Sequence, residues 1–122
     1  MRLKKDSSEQ KLRGAYYTPL PLANAMVNLV ASQNITNVLE PSCGDGVFLD
    51  SLASLELLNN IPNVTAVEIE PDEAEKVSIN YIDNDNVHVL NEDFLDFYQQ
   101  VYGKHTYDLI LGNPPYIRYQ YL

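Results

Sequence analysis

The stretch VLEPSCGDGVFL, residues 38–49, gives the clearest structural signal in this chain. It opens on a short run typical of a β-strand, and Phe48 and Leu49 begin an apolar helical pattern. The residues between them, 41–46, include a proline and two glycines, which predict a tight turn that a ligand can approach closely. The stretch therefore predicts a strand, a loop and a helix in that order.

The same alternation continues along the chain. Strands are predicted over residues 64–70, 87–90 and 107–112. Asp72 is the predicted cap of the helix after the first of these strands. The apolar residues of the two intervening helices are Ala74, Val77 and Tyr81 in one, and Phe94, Phe97, Tyr98 and Val101 in the other.

One more helix is predicted ahead of the first strand. Its apolar positions follow the helical period and place Pro21 in the first turn. The predicted buried face consists of Leu22, Ala25, Met26, Leu29 and Val30.

These elements predict an α/β fold, a partial doubly wound, Rossmann-like sheet of about four parallel strands with flanking helices. The last strand contains Leu109, Ile110 and Leu111, and such a run is typical of a central strand that is covered on both faces. Only residues 113–122 follow it. We therefore expect the sheet to be truncated after the fourth strand, or completed by another segment or subunit.

Composition limits the class of protein. The chain has 122 residues, enough for one domain, and its single cysteine, Cys43, excludes an intramolecular disulfide. No apolar run is long enough to span a bilayer and no signal peptide is recognisable, so we expect no membrane association and a cytoplasmic protein. Residues 1–13 are predicted to form a mobile basic arm ahead of a domain over residues 14–122.

Charge is unevenly distributed along the chain. Residues 1–13 carry five Lys or Arg against two acids, although the whole chain has a net charge of −9. Nucleic-acid binding depends on neutralising phosphates, so the acidic body is poorly suited to grip DNA by itself.

The glycine-containing loop carries acidic residues. Glu40 ends the first strand and Asp45 lies between Gly44 and Gly46. Negative groups would repel a phosphate but suit a cationic ligand. An ordinary strand-to-helix turn is the alternative interpretation of the same residues.

Two further acids follow the next strands. Glu68 lies 22 residues beyond Gly46, near the spacing at which a carboxylate binds a ribose diol in nucleotide-binding sheets. Glu70 is the competing candidate, and it is interpreted as a solvated residue at the end of the strand. Asp93, beside Phe94, is either an acceptor for an amino group or the N-cap of the next helix.

The tetrapeptide NPPY, residues 113–116, follows the last predicted strand. Its prolines hold the backbone rigid, so the Asn113 amide oxygen and the Pro114 carbonyl form a fixed pair of acceptors for an NH₂ group. Tyr116 offers a flat surface for stacking. The alternative is a Pro-Pro turn that only leads out of the strand.

Together, LEPSCGDGVFL (residues 39–49) and NPPY (residues 113–116), preceded by GAYYTP (residues 14–19), resemble the gamma-type N6-adenine DNA methyltransferases of restriction-modification systems. The resemblance implies that S-adenosyl-L-methionine is the cofactor and that the methyl group goes to a flipped adenine of double-stranded DNA. It also implies that DNA is bound mainly by regions absent from this chain. The remaining methyltransferase and target-recognition segment, or a restriction subunit, is then a partner, and restriction-modification or phage defence is the implied role.

The resemblance assigns site residues as well. The implied cofactor residues are Thr18, Glu40, Ser42, Gly44, Gly46, Glu68, Ile69, Asp93 and Phe94. The implied catalytic residues, which hold the target adenine, are Asn113, Pro114, Pro115 and Tyr116. Among the cofactor residues, Glu68 is expected on the ribose, Ile69 on the adenine face and Asp93 on the adenine amino group.

Two alternatives stay open. Protein glutamine N5-methyltransferases of release factors also use an Asn-Pro-Pro-Tyr motif, but they lack an element like YYTP, residues 16–19. A non-catalytic, truncated cofactor-binding fragment is the second alternative. His88 and His105 have no metal-ligand spacing with each other or with Cys43, so no metal site is predicted.

Overall fold

A computed structural model of the chain describes residues 18–31 and 34–112. The predicted basic arm and the NPPY motif lie outside the described residues. The helices are α1 (Leu20–Asn28), α2 (Val47–Ser54), α3 (Pro71–Asn80) and α4 (Phe94–Val101), with a short 3₁₀ turn at Leu58–Asn60. The strands are β1 (Asn37–Glu40), β2 (Asn63–Val67), β3 (Val87–Leu90) and β4 (Leu109–Ile110).

The four strands form one parallel sheet in the order β3-β2-β1-β4. Helices α1, α2 and α3 contribute to the larger core on one face, while α4 packs on the other. This arrangement confirms the predicted α/β fold class, since the strands alternate with helices and the helices cover both faces.

Each face has its own apolar cluster. The larger cluster includes the strand residues Val38, Val64 and Ala66, the α2 residues Phe48, Leu49 and Leu52, and Val77 of α3. The smaller cluster consists of Leu39, Val67 and Phe97, with Phe94 packed against it. Alternation along the strands accounts for the two sets, because successive side chains point to opposite faces.

The predicted buried face of α1 is wrong. Leu22 is 53% exposed and Leu29 is 82% exposed, whereas Ala23 and Val27 are buried. The hydroxyl group of Ser51 on α2 donates a 2.6 Å hydrogen bond to the side chain of Asn24. This bond and the small side chain of Ala23 direct the face of α1 that carries Ala23, Asn24 and Val27 toward α2. The larger apolar residues of α1 lie on its more exposed side.

Two boundaries around α3 also differ from the sequence prediction. Strand β2 ends at Val67 rather than reaching Glu70, and α3 begins at Pro71. Glu70 holds the N-cap position without a side-chain cap, so the prediction that Asp72 caps this helix is wrong. Proline suits the first helical position because its fixed φ matches the helix, and Asp72 lies in the first turn, where negative charge is favourable.

Strand β4 is shorter and less covered than predicted. It pairs only Leu109 and Ile110 with β1, and Ile110 is 61% exposed while Leu111 is buried. The expectation of a strand covered on both faces is therefore wrong for this part of the chain. Among the described residues, α4 packs over Leu39 and Val67, and Ile110 is not part of that cluster.

Within residues 18–31 and 34–112, no helix is both long and apolar enough to cross a membrane.

Candidate active site

The carboxyl ends of β1, β2 and β3 meet at one edge of the sheet, because the strands are parallel. The loop after β1 is tied to the end of β2 by a 2.9 Å hydrogen bond from the Cys43 amide to the Val67 carbonyl. Gly44 and Gly46 have φ values of 54° and 85°, which residues with a side chain rarely adopt. The two glycines thus allow the loop to fold back over the end of β2.

Glu68 connects this loop to the end of β2. Its side chain is buried, and its Oε1 atom accepts a 2.8 Å hydrogen bond from the Gly44 amide. Its Oε2 atom accepts a 2.9 Å hydrogen bond from the Glu70 amide. A carboxylate offers about four acceptor positions, so both oxygens keep capacity for a ligand.

Glu40 is the most unusual side chain of the site. It is 2% exposed, and within residues 18–31 and 34–112 neither of its carboxylate oxygens has a hydrogen-bond partner. Burial raises the pKa of this carboxyl group well above its usual range, and the charges of Glu68 and Asp45 raise it further. The nearby backbone of Ser42 lowers this pKa, but by less than burial raises it.

An unpartnered buried carboxyl group is costly to the fold, which makes it a marker of a binding site. The nearby charges on Glu68 and Asp45 are negative, so a cation is the ligand that would satisfy Glu40. This electrostatic pattern agrees with the sequence interpretation of an acidic loop suited to a cationic ligand.

Gly112 brings the exit of β4 against the same loop. A Cβ atom added there would lie 3.1 Å from Pro41 Cδ and 3.5 Å from Glu40 Oε1. Gly112, the last described residue, therefore lies next to the unpartnered carboxyl group. Asn113, Pro114, Pro115 and Tyr116 themselves lie outside the described residues, so their assigned role stays a prediction.

The end of β3 supplies the other predicted residues. Asp93 is the N-cap of α4, and its Oδ1 atom accepts a 2.7 Å hydrogen bond from the Leu95 amide. This outcome was one of the two that the sequence left open, and it leaves Oδ2 for an additional donor. Ile69 is 58% exposed at the end of β2, and Phe94 is half-buried at the start of α4.

Sequence reasoning missed Asn91. Its side-chain Nδ2 atom donates hydrogen bonds of 2.9 Å to the carbonyl oxygens of both Glu68 and Ile69. An asparagine after a strand is usually interpreted as a turn residue, so the pattern of the sequence contains no signal for this contact.

The family of the chain follows from comparison with known proteins. The family model described as N-6 DNA Methylase matches residues 3–121. This chain belongs to the N-6 DNA methylase family. The resemblance seen in the sequence is thereby confirmed.

Individual relatives agree. The chain is 34% identical over 117 residues to the type II methyltransferase M.HincII of Haemophilus influenzae, a match covering 96% of this chain and 20% of that protein. It is also 34% identical to the type II methyltransferase M.BanIII of Aneurinibacillus aneurinilyticus, over 93% of this chain and 24% of that protein. The chain thus spans about a fifth to a quarter of the length of these curated relatives.

A solved structure shares the fold. It is a protein assigned as the modification subunit of a type I restriction enzyme from Vibrio vulnificus, with a TM-score of 0.65 and 24% identity. The match covers 91% of this chain and 27% of that one. A Rossmann-like methyltransferase sheet is therefore the architecture of this family member.

The remaining assigned residues fall in two places. Thr18 is buried directly before α1, and Ser42 is half-buried in the loop after β1. Their cofactor contacts stay predictions. Within the described part of the chain, no group of three or more His, Cys, Asp or Glu side chains is placed to hold a metal ion.

Proposed function

We propose that this chain is the cofactor-binding part of a methyltransferase that uses S-adenosyl-L-methionine to methylate N6 of adenine in double-stranded DNA. The observation that carries the proposal is the unpartnered, buried Glu40 carboxyl group beside the hydrogen bond between Glu68 and Gly44. Membership of the N-6 DNA methylase family supports it.

The charge of the site fits this cofactor. S-adenosyl-L-methionine carries a sulfonium and an ammonium group, and either would satisfy the buried Glu40 carboxylate. Glu40, Glu68 and Asp45 all lie around the loop, which makes it unfavourable for phosphate-bearing nucleotides. The site therefore selects a nucleoside that is linked to a cation.

Glu68 is suited to the ribose. Each of its oxygens already accepts one backbone hydrogen bond, from Gly44 or from Glu70, and these bonds hold the carboxylate in a fixed orientation. The remaining acceptor positions face no other donor among the described residues, so a ribose diol can donate to both oxygens.

The adenine subsite would use the ends of β2 and β3. Ile69 offers exposed apolar surface for the ring, and Phe94 offers an aromatic one. The free Oδ2 atom of Asp93 accepts from the adenine amino group, while Oδ1 keeps α4 capped. Asp93 would then act both as the N-cap of α4 and as an acceptor for the adenine amino group, the two interpretations that the sequence left open.

When bound, S-adenosyl-L-methionine supplies an electrophilic methyl group on a sulfur cation. Asn113 and Pro114 would accept hydrogen bonds from the amino group of the target adenine, and Tyr116 would stack on its ring. Pro115 would keep this acceptor pair rigid. Gly112, the last described residue before this segment, lies next to Glu40, which supports a target amino group positioned near the sulfonium end of the cofactor.

DNA is favoured over a protein glutamine as the substrate. The curated relatives named above are type II methyltransferases, whereas an Asn-Pro-Pro-Tyr motif alone fits both amides and adenines. With a net charge of −9, the chain needs basic surface from other segments or a partner to hold DNA. A restriction-modification or phage-defence role and a cytoplasmic location complete the proposal.

Identification of the methylated product tests this proposal. The full protein is incubated with radiolabelled S-adenosyl-L-methionine and either double-stranded DNA or a release-factor protein, and the products are hydrolysed and separated. We expect label in N6-methyladenine, and its loss in Asn113→Ala. Label in N5-methylglutamine, or none in DNA under conditions where the cofactor binds, contradicts the assigned substrate.

A further inference from the structure

Asn91 contacts both residues that the proposed function places against the nucleoside. Its side-chain Nδ2 atom lies 2.9 Å from the carbonyl oxygen of Glu68 and 2.9 Å from that of Ile69. Both partners are acceptors, so the amide nitrogen, not the oxygen, must face them. Asn91 therefore joins two consecutive peptide groups at the end of β2.

This contact adds to the backbone hydrogen bonds that join the end of β2 to β3. The pairing of β2 with β3 ends at Val67 and Leu90. Beyond it, the Glu68 amide donates a 2.9 Å hydrogen bond to the Leu90 carbonyl, and the Glu68 carbonyl accepts a 3.2 Å one from the Glu92 amide. For the Ile69 carbonyl, the Asn91 side chain is the hydrogen-bond donor found among the described residues.

The backbone at this point sets the direction of two side chains. Glu68 must point toward Gly44 to accept its amide, and Ile69 must point outward to present its exposed surface. A rotation of the peptide between them would move both groups together. Without the Asn91 clamp, the Ile69 carbonyl loses the donor it has among the described residues and the Glu68 carbonyl keeps only the bond from the Glu92 amide, so this peptide is held less firmly.

We propose that Asn91 is a positioning residue of the nucleoside subsite, whose amide fixes the Glu68–Ile69 peptide so that Glu68 meets the ribose diol and Ile69 the adenine ring. This inference rests on the proposed function. It adds a residue that touches no substrate but sets the geometry of two that do.

The chain contains a matched control for this clamp. Asn86, just before the start of β3, donates from Nδ2 to the carbonyl oxygens of Leu58 and Ile61, both at 2.8 Å. Each asparagine thus donates two hydrogen bonds from Nδ2 to backbone carbonyl oxygens, and the two lie at opposite ends of one strand. Only Asn91 lies at the carboxyl edge of the sheet, where ligands bind in such folds.

Ribose selectivity tests the proposal. The dissociation constants of S-adenosyl-L-methionine and of its 2′-deoxyribose analogue are measured by calorimetry for the full chain, Asn91→Ala and Asn86→Ala. A hydrogen bond to a charged group corresponds to about tenfold in affinity, so the wild type should prefer the ribose form by about that factor. We expect Asn86→Ala to keep this preference and Asn91→Ala to lose most of it.

Asn91→Asp gives a second, nearly isosteric variant. It replaces the donor with an anion beside two carbonyl oxygens, so it should lose the preference as Asn91→Ala does. Thermal unfolding of all variants shows which are folded, and a structural loss alone would lower the melting temperature without changing the ratio of the two affinities.

The possible outcomes distinguish failure of the positioning role of Asn91 from failure of the proposed function. If folded Asn91 variants keep the wild-type preference, or if Asn86→Ala loses it equally, the positioning role is overturned and the proposed function stands. If the wild type binds the cofactor without any ribose preference, the role of Glu68 fails, and the role of Asn91 fails with it. If the folded wild type binds no cofactor, the proposed function itself is overturned.

Discussion

The carboxylate of Glu68 accepts a 2.8 Å hydrogen bond from the amide of Gly44, which lies 24 positions earlier in the chain. The acid at the end of β2 and the glycine loop after β1 are therefore one structural unit. The site for the proposed ribose contact and the loop that lies beside it depend on the same side chain.

Glu68→Gln should destabilise the chain as well as change its site. A glutamine can accept from only one of the two amides that Glu68 now binds, those of Gly44 and Glu70, because its NH₂ group faces the other. We expect the free energy of unfolding, measured by urea titration, to fall by about 1–2 kcal/mol. Glu70→Gln is the control, since the interaction of Glu70 with Glu68 is made by its backbone. Equal stability of the two variants would contradict the assigned role of the carboxylate.

Glu40→Gln should raise stability at neutral pH. Burial raises the pKa of Glu40, so the folded chain holds this proton more tightly than the unfolded chain does. Stability is therefore unaffected below the ordinary carboxyl pKa, and falls as the pH rises from there to the raised pKa of the folded state. The variant lacks this loss, and we expect a gain of about 1 kcal/mol or more at neutral pH in urea unfolding.

The same Glu40 variant should weaken cofactor binding, because it removes the negative group that would pair with a cation. Glu75→Gln, an exposed substitution on α3, is the control for a general change of charge. A Glu40 variant that binds the cofactor as well as the wild type would show that this carboxyl group is not its counter-ion.

Gly46→Ala should be more harmful than Gly103→Ala. Both glycines have positive φ, 85° and 75°, so both alanines carry a backbone cost of about 1–2 kcal/mol. Only at Gly46 would the new Cβ atom meet a side chain, Val77 Cγ2, at 3.2 Å, whereas nothing lies within 4 Å at Gly103. The free energy of unfolding should therefore fall further in Gly46→Ala than in Gly103→Ala, and the difference between the two losses measures this contact. Val77→Ala should therefore cost less unfolding free energy in the Gly46→Ala background than in the wild type, and an equal cost in both would exclude the contact as the cause.

Asp108→Asn should remove part of the acid sensitivity of the fold. Asp108 accepts hydrogen bonds from the amide and hydroxyl groups of Thr36 and from the amide of Asn37, which join β4 to the start of β1. The hydrogen bonds from Thr36 hold the pKa of Asp108 below its usual value. Its stabilising effect is present above the ordinary carboxyl pKa and is lost as the pH falls through the lowered one. Melting temperatures across the acidic range should fall less steeply in the variant than in the Asp85→Asn control.

The sequence was sufficient to predict the sheet, because segments with the apolar pattern of a strand alternate clearly with segments with the apolar pattern of a helix. It was also sufficient for the acidic loop, where Gly44 and Gly46 both need positive φ. It failed for α1, because that short helix has apolar residues on two stripes and periodicity cannot choose between them. The contact between Asn24 and Ser51, 27 positions apart, makes that choice, and it is visible only in the folded chain.

The sequence indicates a candidate site residue where the residue type carries its own chemistry, and gives no indication where geometry alone supplies the role. Glu68 stands out by its charge and its distance from the loop. Asn91 acts through two backbone carbonyl groups, and these are brought to it by the register of β2 and β3. Likewise, the unpartnered state of Glu40 depends on burial that composition does not reveal.

Calorimetric titration of S-adenosyl-L-methionine into the folded chain tests the proposed cofactor site most directly, with Glu68→Gln and Glu70→Gln measured alongside. We expect saturable binding to the wild type and to Glu70→Gln. Because Glu40 gives up its proton on binding, the measured binding enthalpy should change with the ionisation enthalpy of the buffer. Glu68→Gln should weaken the binding about tenfold or more. A folded wild-type chain that binds no cofactor, or a Glu68→Gln variant that binds it with unchanged affinity, would contradict the site described here.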